Sequence, residues 1–231
     1  MDFDSFVLAA STADLDEEPA AREHADAVEF RMDLAADPVA AIDAYDGELP
    51  IIATNRPTWE GGERQDGEDR EDELVAAVKA EPVEAVDVEL RALTEDPEAA
   101  VDLTRVVQTA TSLDVGVIVS VHDFEGTPEL SELAGLAAQV CAVGDVGKLA
   151  VTATENGEVL DLLRVTHEFA SADRSIATMA MGEVGAHSRV VAPLYGSRIG
   201  YAPVAPESAT APGQFEIATM RRLIDELSTS G

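Results

Sequence analysis

The sequence predicts an α/β fold, a closed (β/α)8 barrel that forms one domain over residues 1–231. Short apolar runs rich in Val, Ile and Ala recur eight times, and longer stretches with helical spacing separate them. This alternation of strand and helix is typical of a parallel sheet that is covered by helices. No Pro/Ser-rich linker divides the chain, and α/β barrels of up to about 250 residues commonly form one domain.

The predicted strands are residues 6–11, 27–34, 50–56, 85–90, 116–124, 147–153, 175–182 and 199–204. The predicted helices between and after them are residues 71–81, 97–113, 129–143, 157–170 and 214–227. An open doubly wound sheet would use the same alternation, but it usually has fewer strands and often a glycine-rich dinucleotide turn. The sequence contains neither a GxGxxG nor a phosphate-loop pattern, so the closed barrel is favoured.

The chain is strongly acidic, with 15 Lys+Arg against 46 Asp+Glu and a formal net charge of −31. We expect neither a nucleic acid nor a membrane partner, because clustered Lys and Arg are what bind both. A hydrophobic share of 46% excludes a disordered acidic chain. Because so large an excess of like charge destabilises a compact state unless salt screens it, we predict a protein adapted to a salt-rich cytoplasm.

Cysteine content and the lengths of the apolar runs bound the class of protein further. Cys141 is the only cysteine, which excludes a disulfide framework and a multi-cysteine metal site, and we expect a buried thiol. No apolar run approaches the length of about 18 residues that a membrane span needs. The first residues carry aspartates instead of a basic region. We therefore expect a soluble protein of the cytoplasm.

Polar residues that end the apolar runs are the first functional candidates, because the carboxyl ends of barrel strands face the active site. The first run ends at Ser11, whose position makes it a weak candidate for a substrate contact. The second carries Glu29, Arg31 and Asp33, which alternate with apolar residues and so share one strand face. We predict that this face points into the barrel. The alternative is an internal ion-pair network, since buried charges are stable only when paired.

The third and fourth runs also end in charged residues. Arg56 closes the third, and Glu60 follows four residues later, with a surface turn as the alternative interpretation. Residues 60–73 include eight acidic residues among fourteen and predict a solvated loop that leads into a helix. The glycine pair after Glu60 suits either a mobile lid or a flexible connection. Glu89 ends the fourth run, as either an inward carboxylate or a charge at the strand end.

His122 ends the fifth run, with Ser120 two residues earlier on the same face. An imidazole titrates near neutral pH, so a histidine at a strand end suits general acid and base catalysis. A structural histidine is the alternative.

Lys148 lies inside an apolar strand, although the chain contains only one other lysine, Lys79. Burial disfavours the charged amine and so supplies the neutral amine that attacks a carbonyl to form a Schiff base. The alternative is a structural lysine that is paired with a buried carboxylate such as Glu89.

Two residues near the end of the chain suit ligand binding. Arg189 is a candidate for a substrate carboxylate, because a guanidinium binds such a group with two parallel hydrogen bonds, although it could equally cap a helix. Gln214 precedes the last predicted helix and could reach a ligand. No HExxH motif is present and the GSRIG segment at 196–200 lacks the serine of a nucleophile elbow, so metalloprotease and serine hydrolase chemistries are excluded.

Taken together, six motifs in order resemble the type I 3-dehydroquinate dehydratases over nearly the whole chain. They are Glu-Phe-Arg-Met-Asp at 29–33, Arg-Pro-Thr-Trp-Glu-Gly-Gly at 56–62, Ser-Val-His-Asp-Phe at 120–124, the lysine strand, Met-Gly-x-x-Gly-x-x-Ser-Arg at 181–189, and Ala-Pro-Gly-Gln at 211–214. The resemblance implies loss of water from 3-dehydroquinate to give 3-dehydroshikimate, in the shikimate route to aromatic compounds, with no metal or nucleotide cofactor. It also implies a homodimer.

The resemblance also implies a role for each matching residue. Lys148 would form the imine with the substrate ketone, His122 would be the general acid and base, and Glu60 would orient His122. The substrate-binding residues would be Ser11, Glu29, Arg31, Arg56, Arg189, Thr210 and Gln214. Thr210 stands where the family is expected to use serine, and it keeps the hydroxyl.

Two other functions remain compatible with these residues. A class I aldolase or transaldolase would use the same barrel and Schiff base on a sugar phosphate, although the sequence has no glycine-rich phosphate site. A non-catalytic ligand-binding barrel would use the buried charges for structure alone.

Overall fold

Eight parallel strands form one sheet in the computed structural model, which describes residues 1–94, 96, 99–204 and 214–228. The strands are β1 (Val7–Thr12), β2 (Ala27–Arg31), β3 (Ile51–Thr54), β4 (Val83–Glu89), β5 (Gly116–Asp123), β6 (Val146–Thr152), β7 (Ile176–Met181) and β8 (Ile199–Pro203). Their order in the sheet is β7-β6-β5-β4-β3-β2-β1-β8. A parallel bridge between Ile176 and Ser197 brings β7 beside β8, so the sheet curls into a nearly closed barrel. The predicted fold class is confirmed.

Helices follow the strands and cover the outside of the sheet. They are α1 (Glu18–Ala21), α2 (Pro38–Asp43), α3 (Glu68–Val78), α4 (Thr104–Ser112), α5 (Leu130–Val143), α6 (Asn156–Ser171), α7 (Gly182–Gly185), α8 (Ser188–Val191) and α9 (Ile217–Ser228). Short 3-10 turns lie at Leu15–Glu17, Met32–Leu34, Thr58–Glu60, Leu90–Leu93 and Ala192–Tyr195.

Strand β5 illustrates how the apolar pattern divides between two core layers. Val117 and Val119 pack outward into the core between sheet and helices, whereas Ile118 packs inside the barrel. Side chains alternate between the two faces of a strand, so Ser120 and His122 share the inward direction of Ile118. The lower barrel is therefore filled by apolar residues, and polar groups occupy its carboxyl-terminal mouth.

Several predicted boundaries differ from the structure, among them those of β2, α3 and α4. Strand β2 ends at Arg31, and Asp33 lies in the 3-10 turn that follows, where its carboxylate accepts hydrogen bonds from the Arg31 guanidinium at 2.8 and 2.7 Å. Helix α3 begins at Glu68, three residues before the predicted start, and its acidic first turn complements the helix dipole. Helix α4 begins only at Thr104; residues 97 and 98 of the predicted helix lie outside the described residues.

Cys141 is buried on α5, as expected, and its thiol points at the carbonyl oxygen of Ser175 at 3.5 Å. Among the helices that the structure describes, none combines the length and the apolar character needed to cross a bilayer.

Candidate active site

A pocket with about 580 Å³ of empty space opens at the carboxyl ends of the strands. The pocket brings together residues from all parts of the chain, and most of the predicted site residues lie in its wall. These are Ser11, Glu29, Arg31, Arg56, Glu60, His122, Lys148, Arg189 and Gln214. Thr210, the remaining predicted binding residue, lies outside the described residues.

Lys148 is the central group of this pocket. It lies on β6 with 3% of its surface exposed, and its Nζ is 2.8 Å from Asp87 Oδ2 and 3.8 Å from Glu29 Oε1. Lys148 thus does pair with a buried carboxylate, as the alternative interpretation expected, but that carboxylate is Asp87. Glu89, the example named for it, instead binds the guanidiniums of Arg56 at 2.7 Å and Arg70 at 3.0 Å. The amine therefore faces the pocket with one close carboxylate beside it.

Asp87 is a functional candidate that the sequence analysis missed. It is fully buried on β4, and besides Lys148 it accepts hydrogen bonds from the Ser120 hydroxyl at 2.6 Å and pairs with Arg56 Nη2 at 2.8 Å. Burial acts to raise its pKa, but the charges of Arg56 and Lys148 outweigh burial and hold the pKa well below its usual range. Asp87 is therefore ionised at neutral pH. An aspartate in the middle of an apolar strand was the signal that could have revealed it.

His122 and Glu60 form the second catalytic candidate pair. The 3-10 turn Thr58–Glu60 carries Glu60 to the end of β5, where its Oε1 lies 2.8 Å from His122 Nδ1. The same oxygen accepts the backbone N–H of His122 at 3.1 Å. These two contacts fix the ring by its Nδ1 edge.

The protonation of this pair is set mainly by burial. Burial raises the pKa of Glu60 to about 8, although Arg56 acts in the opposite direction. Burial also lowers the pKa of His122 well below its ordinary value, and the charges of Arg56 and Lys148 lower it further. The imidazole is therefore neutral at physiological pH, and the proton that titrates belongs to the pair as a whole.

Arg56 links the lysine side of the site to the histidine side. It is 4% exposed, so the surface-turn interpretation is wrong. Its guanidinium contacts Asp87, Glu89 and the Ser120 hydroxyl at 2.7 to 2.8 Å, and it lies 4.0 Å from Glu60. Burial disfavours its charge, but Asp87 and Glu89 raise its pKa above the ordinary value. Arg56 is thus a permanent cation that lies among three carboxylates and the Ser120 hydroxyl.

Two arginines suit the binding of an anionic substrate. Arg189 follows the first residue of α8, is 4% exposed, and forms no ion pair with any part of the chain that the structure describes. Burial lowers its pKa to about 10, although Glu29 opposes the shift. Arg31 differs, because Asp33 already binds it and outweighs the effect of burial to raise its pKa. The ion pair that was the alternative interpretation at this strand end is thus present, and Arg31 also lines the pocket.

The remaining wall is apolar or hydroxylated, and most of it escaped the sequence analysis. Thr54 and Ser11 hydrogen-bond to Glu29, the first at 3.2 Å. The other lining residues to which the sequence analysis gave no role are Phe124 and Met181, which lie in two of the six motifs, and Ala150, Met179 and Tyr201. The two methionines of β7 look like ordinary core residues in the sequence, and only the assembled barrel shows that they line the pocket.

Gly61 and Phe124 form the outer rim of the pocket beside His122. The Phe124 ring stacks on His122 with centroids 6.1 Å apart and an interplanar angle of 12°. Gly61 has φ +79°, and a Cβ at this position would come within 2.4 Å of the Phe124 ring. Glycine is therefore required here by both backbone conformation and space.

Comparisons with known proteins agree with this geometry. A family model described as type I 3-dehydroquinase matches residues 6–230. A 3-dehydroquinate dehydratase of Halobacterium salinarum is 54% identical over 227 residues, which cover 98% of this chain and 100% of the relative. The corresponding protein of Haloarcula marismortui is 51% identical over 229 residues, or 99% of both chains.

A solved structure shares the same architecture. The 3-dehydroquinate dehydratase of Geobacillus kaustophilus superimposes with a TM-score of 0.81 at 27% identity, covering 98% of this chain and 92% of that one. Sequence, fold and the arrangement of charged groups in the pocket lead to the same assignment. The chain belongs to the type I 3-dehydroquinase family.

Proposed function

We propose that this protein removes water from 3-dehydroquinate to give 3-dehydroshikimate, through an imine on Lys148. The observation that carries the proposal is the buried amine of Lys148, which lies 2.8 Å from the ionised Asp87 in the same pocket as His122. The family to which the chain belongs supports the choice of substrate. The reaction is a step of the shikimate route to aromatic compounds.

Formation of the imine begins the reaction. The Lys148 ammonium passes one proton to His122, and the resulting amine attacks the ring ketone carbon to form a carbon–nitrogen bond. The carbon–oxygen bond then breaks, and the oxygen leaves as water after taking one proton from the nitrogen and one back from His122. The product is an iminium cation at the position that the ammonium occupied. Asp87 stays ionised and lies within hydrogen-bond distance of this nitrogen, so its charge stabilises the cation.

His122 then moves the proton that allows elimination. The iminium acidifies the adjacent carbon, whose proton passes to His122 Nε2 while the electron pair moves to nitrogen and gives an enamine. The enamine expels the hydroxyl group from the next carbon, and His122 returns the proton to it, so that water leaves. Hydrolysis of the conjugated iminium restores the Lys148 amine and releases the product.

Glu60 acts through His122 as a positioning residue. Because it binds the Nδ1 edge of the ring, Nε2 is left to face the substrate. We assign the substrate carboxylate to Arg189, which has no ion pair among the described residues. Ser11, Glu29, Arg31, Arg56, Gln214 and Thr210 are proposed to hold the ring hydroxyls and carboxylate. Such contacts keep the reacting carbon within about 3–3.5 Å of its base.

Borohydride trapping tests the proposal directly. The protein is incubated with 3-dehydroquinate in molar KCl and reduced, and the added mass is located by peptide mass spectrometry. We expect a reduced adduct on Lys148 and none on the exposed Lys79, which serves as an internal control. An adduct with 3-dehydroquinate together with formation of 3-dehydroshikimate supports the dehydratase. A folded protein that forms neither would refute it and favour a binding barrel.

Two variants separate the steps. K148A should lose both the adduct and turnover, by about 10⁴-fold or more in kcat. H122A should lose about 10²- to 10⁴-fold in kcat and still be trapped by borohydride. Cleavage of a phosphorylated sugar in place of dehydration would instead identify a class I aldolase.

Location and assembly are part of the same proposal. We propose that the enzyme works in a salt-rich cytoplasm, for which the net charge of −31 is suited, and that it forms a homodimer, as the family resemblance implies. Sedimentation equilibrium in 2 M KCl should give twice the chain mass of 24.3 kDa. A monomer mass would contradict the dimer alone.

A further inference from the structure

Tyr201 is a buried residue of the pocket wall whose hydroxyl is unsatisfied. It lies on β8 with 4% of its surface exposed, and its hydroxyl has no hydrogen-bond partner among the described residues. Burial, reinforced by the charges of Glu29 and Asp87, raises its pKa well above the ordinary value, so the hydroxyl keeps its proton. A buried hydroxyl without a partner is costly, so an acceptor on a bound ligand would relieve that cost.

The ring of Tyr201 lies against the Lys148 amine. The Nζ atom lies 4.2 Å from the ring centroid, within the range of a cation–π contact. Because the ring faces the reacting amine, the residue borders the space that the substrate must occupy. Replacement by phenylalanine keeps this ring contact and removes only the hydroxyl.

Arg189 presents a second unsatisfied donor in the same region. Its Nε has no hydrogen-bond partner among the described residues, and the side chain is 4% exposed. Arg189 and Tyr201 both line the substrate pocket, and both also line a smaller cavity of about 200 Å³ together with Met179. The Arg189 Nε–H and the Tyr201 hydroxyl are thus two buried donors beside the same cavity. A carboxylate suits them, because its oxygens have enough lone pairs to accept both hydrogen bonds.

We propose that Tyr201 is a further substrate-binding residue, whose hydroxyl donates to the same substrate carboxylate that Arg189 binds. This inference rests on the proposed function for the identity of that carboxylate. It adds an uncharged residue to the proposed binding site. None of the six sequence motifs includes Tyr201.

The first test is the Y201F variant. We expect KM for 3-dehydroquinate to rise about tenfold with kcat nearly unchanged, because the contact is present in both ground and transition states. The Kd for quinate should rise by a similar factor; quinate keeps the carboxylate but has a hydroxyl in place of the ketone, so it cannot form an imine. The free energy of unfolding should be unchanged or higher, since the lost hydroxyl has no hydrogen-bond partner among the described residues.

Tyr45 provides the matched control. Its hydroxyl donates to the backbone oxygen of Leu49 at 2.7 Å, outside the pocket. Y45F should therefore leave KM and the Kd for quinate unchanged and lower the free energy of unfolding slightly. If Y201F behaves like Y45F, the hydroxyl has a structural partner and the inference is overturned.

A double-mutant cycle with R189K tests whether the two residues bind one group. The effects of Y201F and R189K on the Kd for quinate should be non-additive if they share the carboxylate. Full additivity would overturn the shared assignment. A wild-type protein that binds quinate but does not dehydrate 3-dehydroquinate would contradict the proposed function alone, and the effect of Y201F on Kd would still decide this inference.

Discussion

Lys148 and Asp87 form a buried ion pair at the centre of the barrel, with Nζ 2.8 Å from Oδ2 although the residues lie 61 positions apart. The two side chains come from β6 and β4, and Ser120 on the strand between them also hydrogen-bonds to Asp87. In the proposed mechanism, the pair holds the Lys148 amine in a fixed position and places a negative charge where the iminium cation would form.

The D87N variant should weaken both roles of this carboxylate. Removing one partner of a buried ion pair leaves Lys148 and Arg56 without their shared counter-charge, so we expect a loss of about 3–5 kcal/mol in the free energy of unfolding. The fraction trapped by borohydride should fall, and kcat should drop about 10²-fold or more. S120A, which removes the hydrogen bonds of the Ser120 hydroxyl to Asp87 and Arg56 but keeps the charge of Asp87, is the milder comparison. Wild-type kcat in folded D87N would contradict the electrostatic role.

The rate should rise with pH through the titration of the Glu60–His122 pair. Burial raises the pKa of Glu60 to about 8, so below that pH its carboxyl carries a proton that it donates to Nδ1, which leaves the ring hydrogen on Nε2. Above it, the carboxylate accepts from Nδ1–H and Nε2 becomes a free base. We therefore expect kcat/KM to increase up to about pH 8 and then level off.

The variant E60Q isolates this titration, because an amide cannot ionise. Its kcat/KM should be low and should lack the rise with pH. The same raised pKa also affects stability. Between about pH 4.5 and 8, Glu60 holds a proton in the folded state that the unfolded chain releases. The contribution of this carboxyl to the free energy of unfolding therefore falls as pH rises through that range. An unchanged pH profile in E60Q would show that another group limits the rate.

Arg70 should stabilise the fold beneath the site, because it binds two carboxylates there. It is fully buried, and its guanidinium bonds to Asp66 at 2.8 Å, to the Asn55 carbonyl at 2.9 Å and to Glu89 at 3.0 Å. R70M would leave two carboxylates without this partner, so urea unfolding at constant KCl should show a loss of about 3–5 kcal/mol.

An exposed arginine supplies the control for this substitution. Arg164 pairs with Glu168 at 2.8 Å, but its side chain is 62% exposed, so R164M should change the free energy of unfolding by less than about 0.5 kcal/mol. Equal effects of R70M and R164M would mean that the buried pairing contributes little.

Salt should stabilise the whole protein. With a net charge of −31, repulsion acts over about 10 Å in 0.1 M salt but only about 3 Å in 1 M salt. We expect Tm to rise by about 10 °C between 0.1 and 2 M KCl, as followed by circular dichroism. A parallel series in sucrose stabilises without screening charge. A Tm that responds equally to both solutes would contradict the screening explanation.

The residues whose position follows from strand geometry alone were predictable. Eight apolar runs at regular spacing indicate a barrel, and the carboxyl ends of its strands must meet at one mouth. For that reason Glu29, His122 and Lys148 could be assigned to one pocket from sequence, and the structure brings them together there.

The ion-pair partners of the charged residues and the burial of their side chains could not be predicted in this way. The partner of Lys148 is Asp87 and not Glu89, Arg56 is buried and not on a surface turn, and Tyr201 joins the pocket from the last strand. Each of these depends on side chains that approach across distant parts of the chain. The sequence by itself determined the barrel, the chemistry of its charged groups and their common edge, because hydrophobic periodicity is local. Only the tertiary structure decided which charges pair and which donors are left for a substrate, because pairing depends on ångström-scale distances between strands.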